Sequence, residues 1–97
     1  MSRYNYFAET VVNNAAFTAV ETTRFGFVSE GFSFLNRGAA LLEYSFDGVT
    51  LHGDLDPADA SKGLVFDSRS ECRVWFRAPA GASTVRIEAW GGFGRDP

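Results

Sequence analysis

The sequence predicts an all-β fold, an antiparallel β-sandwich of jelly-roll- or Ig-like type with seven to eight short strands, and three observations predict it. Apolar and polar residues alternate with period two almost throughout, the spacing of half-buried strands. Turn chemistry recurs at short intervals, at Asn36-Arg37-Gly38, Asp47-Gly48, Pro57 through Gly63 and Pro79 through Ser83, which is the punctuation of a sandwich or barrel. The length, 97 residues, fills one core and starves two.

In chain order, residues 1–15 read as an N-terminal arm. They place Tyr4, Tyr6 and Phe7 among Ser, Asn and Arg, and aromatic anchors suit an extended segment that docks on a neighbouring subunit. The sandwich spans 16–90, with strand-like runs at Ala16–Glu21, Arg24–Val28, Phe32–Asn36, Ala40–Phe46, Val49–Gly53, Leu64–Asp67, Cys72–Arg77 and Thr84–Trp90. Phe25 and Phe27 share one parity and Phe32 and Phe34 the other, so a turn or bulge at Ser29-Glu30-Gly31 must restore the facing; Arg24 to Asn36 is expected to be either a tight hairpin, which is favoured, or one long bent strand. Residues 91–97, Gly91-Gly92-Phe93-Gly94-Arg95-Asp96-Pro97, are too rich in glycine for a strand and read as a flexible tail.

Two further hairpins are expected in definite registers. Asp47-Gly48 is the signal of a two-residue type I′ turn. It would pair Phe46 with Val49, Tyr44 with Leu51 and Leu42 with Gly53 on an apolar face, and Ser45 with Thr50 and Glu43 with His52 on a polar one. Around the longer loop Ala78–Ser83, Arg77 would face Thr84. Phe76 then meets Val85, Val74 meets Ile87 and Cys72 meets Ala89, an apolar face that should be core. The opposite face would carry Trp75 across from Arg86, Arg73 across from Glu88, and Glu71 across from Trp90.

Composition narrows the function by exclusion. Nine basic against twelve acidic residues leave a net charge of −3, so nucleic acid is not an expected partner. No apolar run approaches the roughly 20 residues of a membrane helix, and no basic segment followed by an apolar one opens the chain as a signal peptide would. One cysteine allows no internal disulfide and no multi-cysteine zinc site. Fifteen residues are aromatic, ten of them Phe, and eight of the nine basic residues are Arg. Aromatics and Arg concentrate at protein interfaces; a Phe-rich β core and an Arg-favouring genome account for the same counts.

The residues offer little catalytic chemistry. A nucleophile–base pair would need Cys72 or a serine beside His52, the only histidine, and the expected registers hold Cys72 inward and His52 on another hairpin. Asp54, Asp56, Asp59 and Asp67 lack the spacing of a calcium loop, and Gly91-Gly92-Phe93-Gly94 has no helix after it to bind phosphate. The expectation is no enzyme, no metal and no cofactor. The expected contact surfaces are the Trp75, Trp90, Arg73, Arg77 and Arg86 face, and Tyr4, Tyr6 and Phe7 of the arm. Sugar stacking usually demands coplanar rings with amide or acid side chains beside them, and Asn and Gln are missing from that face, so a carbohydrate-binding module is the less favoured alternative.

Asn36-Arg37-Gly38 through Glu43-Tyr44-Ser45-Phe46-Asp47-Gly48, then Leu51-His52-Gly53-Asp54-Leu55, Val74-Trp75-Phe76-Arg77 and Val85-Arg86-Ile87-Glu88-Ala89-Trp90, resemble small structural proteins of tailed-bacteriophage virions. The resemblance covers about Phe32 to Trp90 and brings no catalytic residues with it. It implies a β-sandwich located in the virion that assembles with itself, a homotrimer being favoured, and with the major capsid protein or another virion protein. A capsid decoration or cement protein is the expected role, and a tail, neck or fibre-base component the alternative.

Overall fold

The computed structural model describes residues 4–17, 22–57 and 63–91, residues 22 and 23 by their backbone only. Eight strands and no helix occur among the described residues: β1 (Tyr4–Val12), β2 (Thr22–Arg24), β3 (Gly31–Asn36), β4 (Leu42–Ser45), β5 (Gly53–Leu55), β6 (Leu64–Phe66), β7 (Arg73–Arg77) and β8 (Ser83–Gly91). They form two antiparallel four-stranded sheets, in the orders β1-β8-β3-β6 and β2-β7-β4-β5. Only β4 and β5 are neighbours in both sequence and sheet; every other pair of consecutive strands is divided between the two sheets.

Period-two sorting builds the core. Phe32 and Phe34 of β3 and Val85, Ile87 and Ala89 of β8 turn inward from one sheet; Leu42 and Tyr44 of β4 and Val74 and Phe76 of β7 turn inward from the other. The two sets meet ring to ring. Phe34 lies edge-on to Phe76 with centroids 5.1 Å apart and edge-on to Tyr44 at 5.5 Å, the arrangement that places the positive edge of one ring on the negative face of another.

Partner choice departs from expectation where sheets change. β7 and β8 do not form a hairpin: β7 pairs with β2 and β4, and β8 with β1 and β3. Ala78–Ala82 therefore carries the chain across the core. The inward parity of both strands is the expected one, because a strand buries the same side chains in either connection. Arg24–Val28 is likewise not a strand beyond Arg24, and no hairpin joins it to Phe32–Asn36. The segment between crosses from one sheet to the other, fixed by Phe25 N–H to Cys72 C=O at 3.0 Å and Glu30 N–H to Trp90 C=O at 2.8 Å.

The β4–β5 pair forms as expected, in a register two residues away: Leu42 faces Leu55, Glu43 faces Asp54 and Tyr44 faces Gly53. The loop is longer than a type I′ turn because Ser45 and Asp47 supply its hydrogen bonds. The Asp47 carboxylate accepts from the N–H groups of Val49 and Thr50, both at 2.8 Å, and the Ser45 hydroxyl accepts from Gly48 N–H at 2.9 Å. Such side-chain closures compete with a strand ladder. Val49 and Leu51, expected inward, are consequently 85% and 48% exposed, and Glu43 does not face His52.

Within the segment expected as an arm, Tyr4–Val12 is a sheet strand. All nine residues of β1 pair with β8, from Tyr4 opposite Gly91 to Val12 opposite Ser83. Of the expected strand Ala16–Glu21, Ala16 and Phe17 are not in a strand and residues 18–21 lie outside the described residues. Of the expected tail 91–97, Gly91 is the last residue of β8, opposite Tyr4, and residues 92–97 lie outside the described residues.

Candidate interaction surfaces

The expected tryptophan–arginine face is two faces. Arg73, Trp75 and Arg77 alternate with the buried Val74 and Phe76 and so stand on the outside of the β2-β7-β4-β5 sheet; Arg86 and Trp90 alternate with Ile87 and Ala89 and stand on the outside of the β1-β8-β3-β6 sheet. The core lies between them. Trp75 therefore has Ser45 and Thr22 as cross-strand neighbours, and the expected contact of Arg86 on Trp75 does not occur.

The β2-β7-β4-β5 face is occupied by its own chain. Arg73 lays its guanidinium 4.6 Å from the Trp75 ring centre, and the indole also rests on Gly48, where a Cβ would come within 2.8 Å of it. Arg77 donates from Nε to Glu43 Oε1 at 2.6 Å, and its guanidinium lies 4.3 Å from the ring centre of Phe17. Both cations have an anion or a ring already in place.

The β1-β8-β3-β6 face is more open. Down its centre run Arg86 and Glu88, joined at 3.4 Å. Glu9 and Leu35 flank Arg86 across the ladders, and Phe7 and Ser33 flank Glu88. Phe7 is 57% exposed and Val65, on the far edge strand, 65%. The Arg86 guanidinium sits 4.9 Å from the Phe7 ring centre, and its Nε is buried with no hydrogen-bond partner among the described residues. Shallow open grooves run on both sides of the Arg86–Glu88 pair, one towards Leu35 and Val65, the other towards Phe7 and Trp90. Trp90 packs over Gly31, where a Cβ would lie 2.7 Å from the indole.

The three aromatics near the N-terminus divide by parity. Tyr4 stacks on Phe27 at 5.6 Å and Tyr6 meets Phe25 at 5.6 Å, so both lie along this chain's own core margin, Tyr4 remaining 40% exposed. Phe7 alone points outward. Val11, Val65 and Leu35 complete the outer face and were not singled out from the sequence. Alternation does not announce them, because Phe7 and Val11 are apolar on the outer side of β1 and Leu64–Phe66 is apolar throughout, so only strand pairing turns them into a surface.

The chemical candidates are placed apart. His52 is exposed in the β4–β5 loop, its Nδ1 accepting from Phe46 N–H at 3.0 Å. Cys72 is half-buried ahead of β7 in the other sheet from Ala89, with its carbonyl accepting from Phe25 N–H. Among the described residues no three His, Cys, Asp or Glu side chains converge, and Asp59 lies outside them. Asp47 is held well below the usual carboxylate range by the N–H groups of Thr50 and Val49 and the Ser45 hydroxyl. Burial pushes the phenols of Tyr6 and Tyr44 up, that of Tyr44 with help from the Asp54 charge and against that of Arg69. These are structural hydrogen bonds and desolvation, with no acid–base pair sharing a cleft among the described residues. Comparison of the chain with protein-family models, with curated proteins and with solved structures finds no significant match.

Proposed function

We propose that the two sheets close as a jelly-roll β-sandwich and that the chain is a non-enzymatic structural subunit of a phage virion. The role is that of a head decoration or cement protein, acting as a closed homo-oligomer on the major capsid protein or another virion protein. The strand order supports the jelly-roll reading. First pairs with eighth, second with seventh, third with sixth and fourth with fifth, the ladder of one long hairpin. The β8–β3 and β7–β4 contacts are those added when that hairpin is rolled up. Architecture of this kind serves viral capsids, lectins and cupins, so fold alone does not choose among them. The resemblance over Phe32 to Trp90 favours the virion.

The observation that carries an assembly role is the outer face of the β1-β8-β3-β6 sheet. Exposed Phe7, Val11 and Val65 surround an Arg86 whose buried Nε has no acceptor among the described residues. Aromatic, aliphatic and Arg side chains around a desolvated polar atom are the composition of an interface centre. A subunit that binds only the assembled lattice stabilises that lattice by mass action.

The test is made on purified virions of the phage that encodes the chain. Mass spectrometry finds the chain in the particles and gold-labelled antibody marks the head. Label at the tail or neck selects the alternative virion location, and absence of the chain from purified particles overturns the reading. Glycan-array binding would favour a lectin instead.

A further inference from the structure

We propose that the free edge of β1 pairs with the same edge of a second copy, antiparallel about a two-fold axis at Ala8, extending β1-β8-β3-β6 into one continuous eight-stranded sheet. This rests on the strand edges and not on the virion reading.

The two sheets have four edge strands, and they are unequal. β2, β5 and β6 are three residues each, whereas β1 has nine. Open edges are ordinarily blunted by shortness, proline, lysine or a bulge. β1 has no Pro, Lys or Arg, a single charge at Glu9, and an unbroken register with β8.

Which backbone groups it leaves open follows from β8. Trp90 C=O accepts from Glu30 N–H and Thr84 C=O from Arg37 N–H, so the even-numbered residues of β8 direct their backbone to β3. The odd-numbered ones face β1, because N–H and C=O groups alternate sides along a strand. Their partners Tyr4, Tyr6, Ala8, Thr10 and Val12 are thereby bonded to β8. Asn5, Phe7, Glu9 and Val11 turn their N–H and C=O groups outward, and no described strand lies on that side.

Self-pairing about Ala8 sets Asn5 opposite Val11 of the second copy and Phe7 opposite Glu9, and all four outward residues of each copy bond. Centring on Phe7 leaves Val11 out, and centring on Glu9 opposes two carboxylates, which is unfavourable. The other three edges of a second copy can match only three of the nine residues. The self-complementary two-fold contact therefore satisfies the most backbone groups, and it closes. An edge of this length buries roughly several hundred Å², below the about 1,200 Å² at which stable interfaces begin. The dimer is accordingly weak, with a dissociation constant on the order of 1–100 μM.

Sedimentation velocity over about 1–500 μM, a range bracketing that constant, reads the result. Wild type shifts from monomer to dimer. Glu9→Pro deletes an outward N–H without touching a β8 bond and stays monomeric. The double variant Asn5→Lys with Val11→Lys, at exposed positions that leave folding intact, also stays monomeric because it opposes like charges across the axis; Asn5→Lys with Val11→Glu restores the dimer. Amide exchange at Asn5, Phe7, Glu9 and Val11 slows only at high concentration. A wild type that remains monomeric throughout, or a Glu9→Pro and Asn5→Lys/Val11→Lys pair that dimerises as wild type does, overturns the proposal. Absence of the chain from virions would leave this contact standing.

Discussion

The Ser83 hydroxyl donates to Asn36 Oδ1 at 2.7 Å in the interior of the fold, joining the start of β8 to the end of β3. Asn36 is fully used there. Its Nδ2 donates to Ala40 C=O at 2.7 Å and to Leu55 C=O at 3.0 Å, and its Oδ1 also accepts from Gly38 N–H at 3.0 Å. One buried amide thus ties β3 and β8 of one sheet to β5 of the other. A buried polar side chain is tolerated when each of its groups is matched.

Removing the amide leaves its partners without bonds. Asn36→Ala is expected to destabilise the fold by about 2–4 kcal/mol, and Ser83→Ala, which strands only one acceptor lone pair, by about 1 kcal/mol. Asn36→Asp should be as severe as alanine, since a carboxylate would face the Ala40 and Leu55 carbonyls. Urea unfolding at neutral pH checks all three. Equal stability of Asn36→Ala and wild type would show that the amide does not join the sheets.

Side-chain parity was legible in the sequence and strand partnership largely was not. Phe32, Phe34, Val74, Phe76, Val85, Ile87 and Ala89 all point inward as their alternation requires, because facing is a local property of a pleated chain. Whether two such strands pair side by side or face each other across a core does not alter that alternation. The Ala78–Ala82 connection permits both, and β7 and β8 took the second. Trp75 and Arg86 were separated by the same step, which is why the candidate face became two. β1 escaped notice because Phe7 and Val11 are apolar on its outer side and blur the period. β4 and β5 were matched correctly as neighbours. Their register moved by two because Ser45 and Asp47 form a side-chain-closed loop that the Asp47-Gly48 pair alone does not announce.

The Arg77–Glu43 pair should be more than a surface ion pair. The two side chains are 28% and 16% exposed, and the guanidinium is held between the carboxylate and the Phe17 ring. A cycle of Glu43→Ala and Arg77→Ala is expected to give a coupling of about 1–2 kcal/mol, above the usual value for exposed pairs. Arg77→Lys should recover less than half of it, since an ammonium keeps the charge and loses the planar contact with Phe17. Full recovery by lysine would mean that charge alone matters.

Gly48 should resist substitution for two separable reasons. Its φ of +82° lies in the left-handed region, where a Cβ costs about 1–2 kcal/mol, and that Cβ would approach the Trp75 indole at 2.8 Å. Gly48→Ala is therefore expected to lower stability by about 2 kcal/mol or more and to change the tryptophan fluorescence of the folded protein. In a Trp75→Leu background the steric part falls away and the cost should drop towards the backbone value. An unchanged cost there would assign the whole effect to φ.

Asp47 should give the fold an acid-sensitive element, and its sign follows from which state binds the proton more tightly. The carboxylate accepts N–H bonds from Thr50 and Val49 and an O–H bond from Ser45 in the folded chain, which holds it ionised to lower pH than in the unfolded chain. Between the two titrations the unfolded state binds more protons, so stability rises with pH there. The contribution is complete above the ordinary carboxylate value of about 4 and is lost as pH falls below it towards the depressed native value. Asp47→Asn keeps an acceptor and removes the titration, so its unfolding midpoint should vary less than that of wild type from about pH 5 down to about pH 2. The two curves should converge at the acid end, because the protonated Asp47 carboxyl and the amide of the variant are then both neutral acceptors. Thermal melts at constant ionic strength across that range decide it. Parallel curves for wild type and Asp47→Asn would mean that the loop hydrogen bonds do not distinguish the carboxylate from its protonated form.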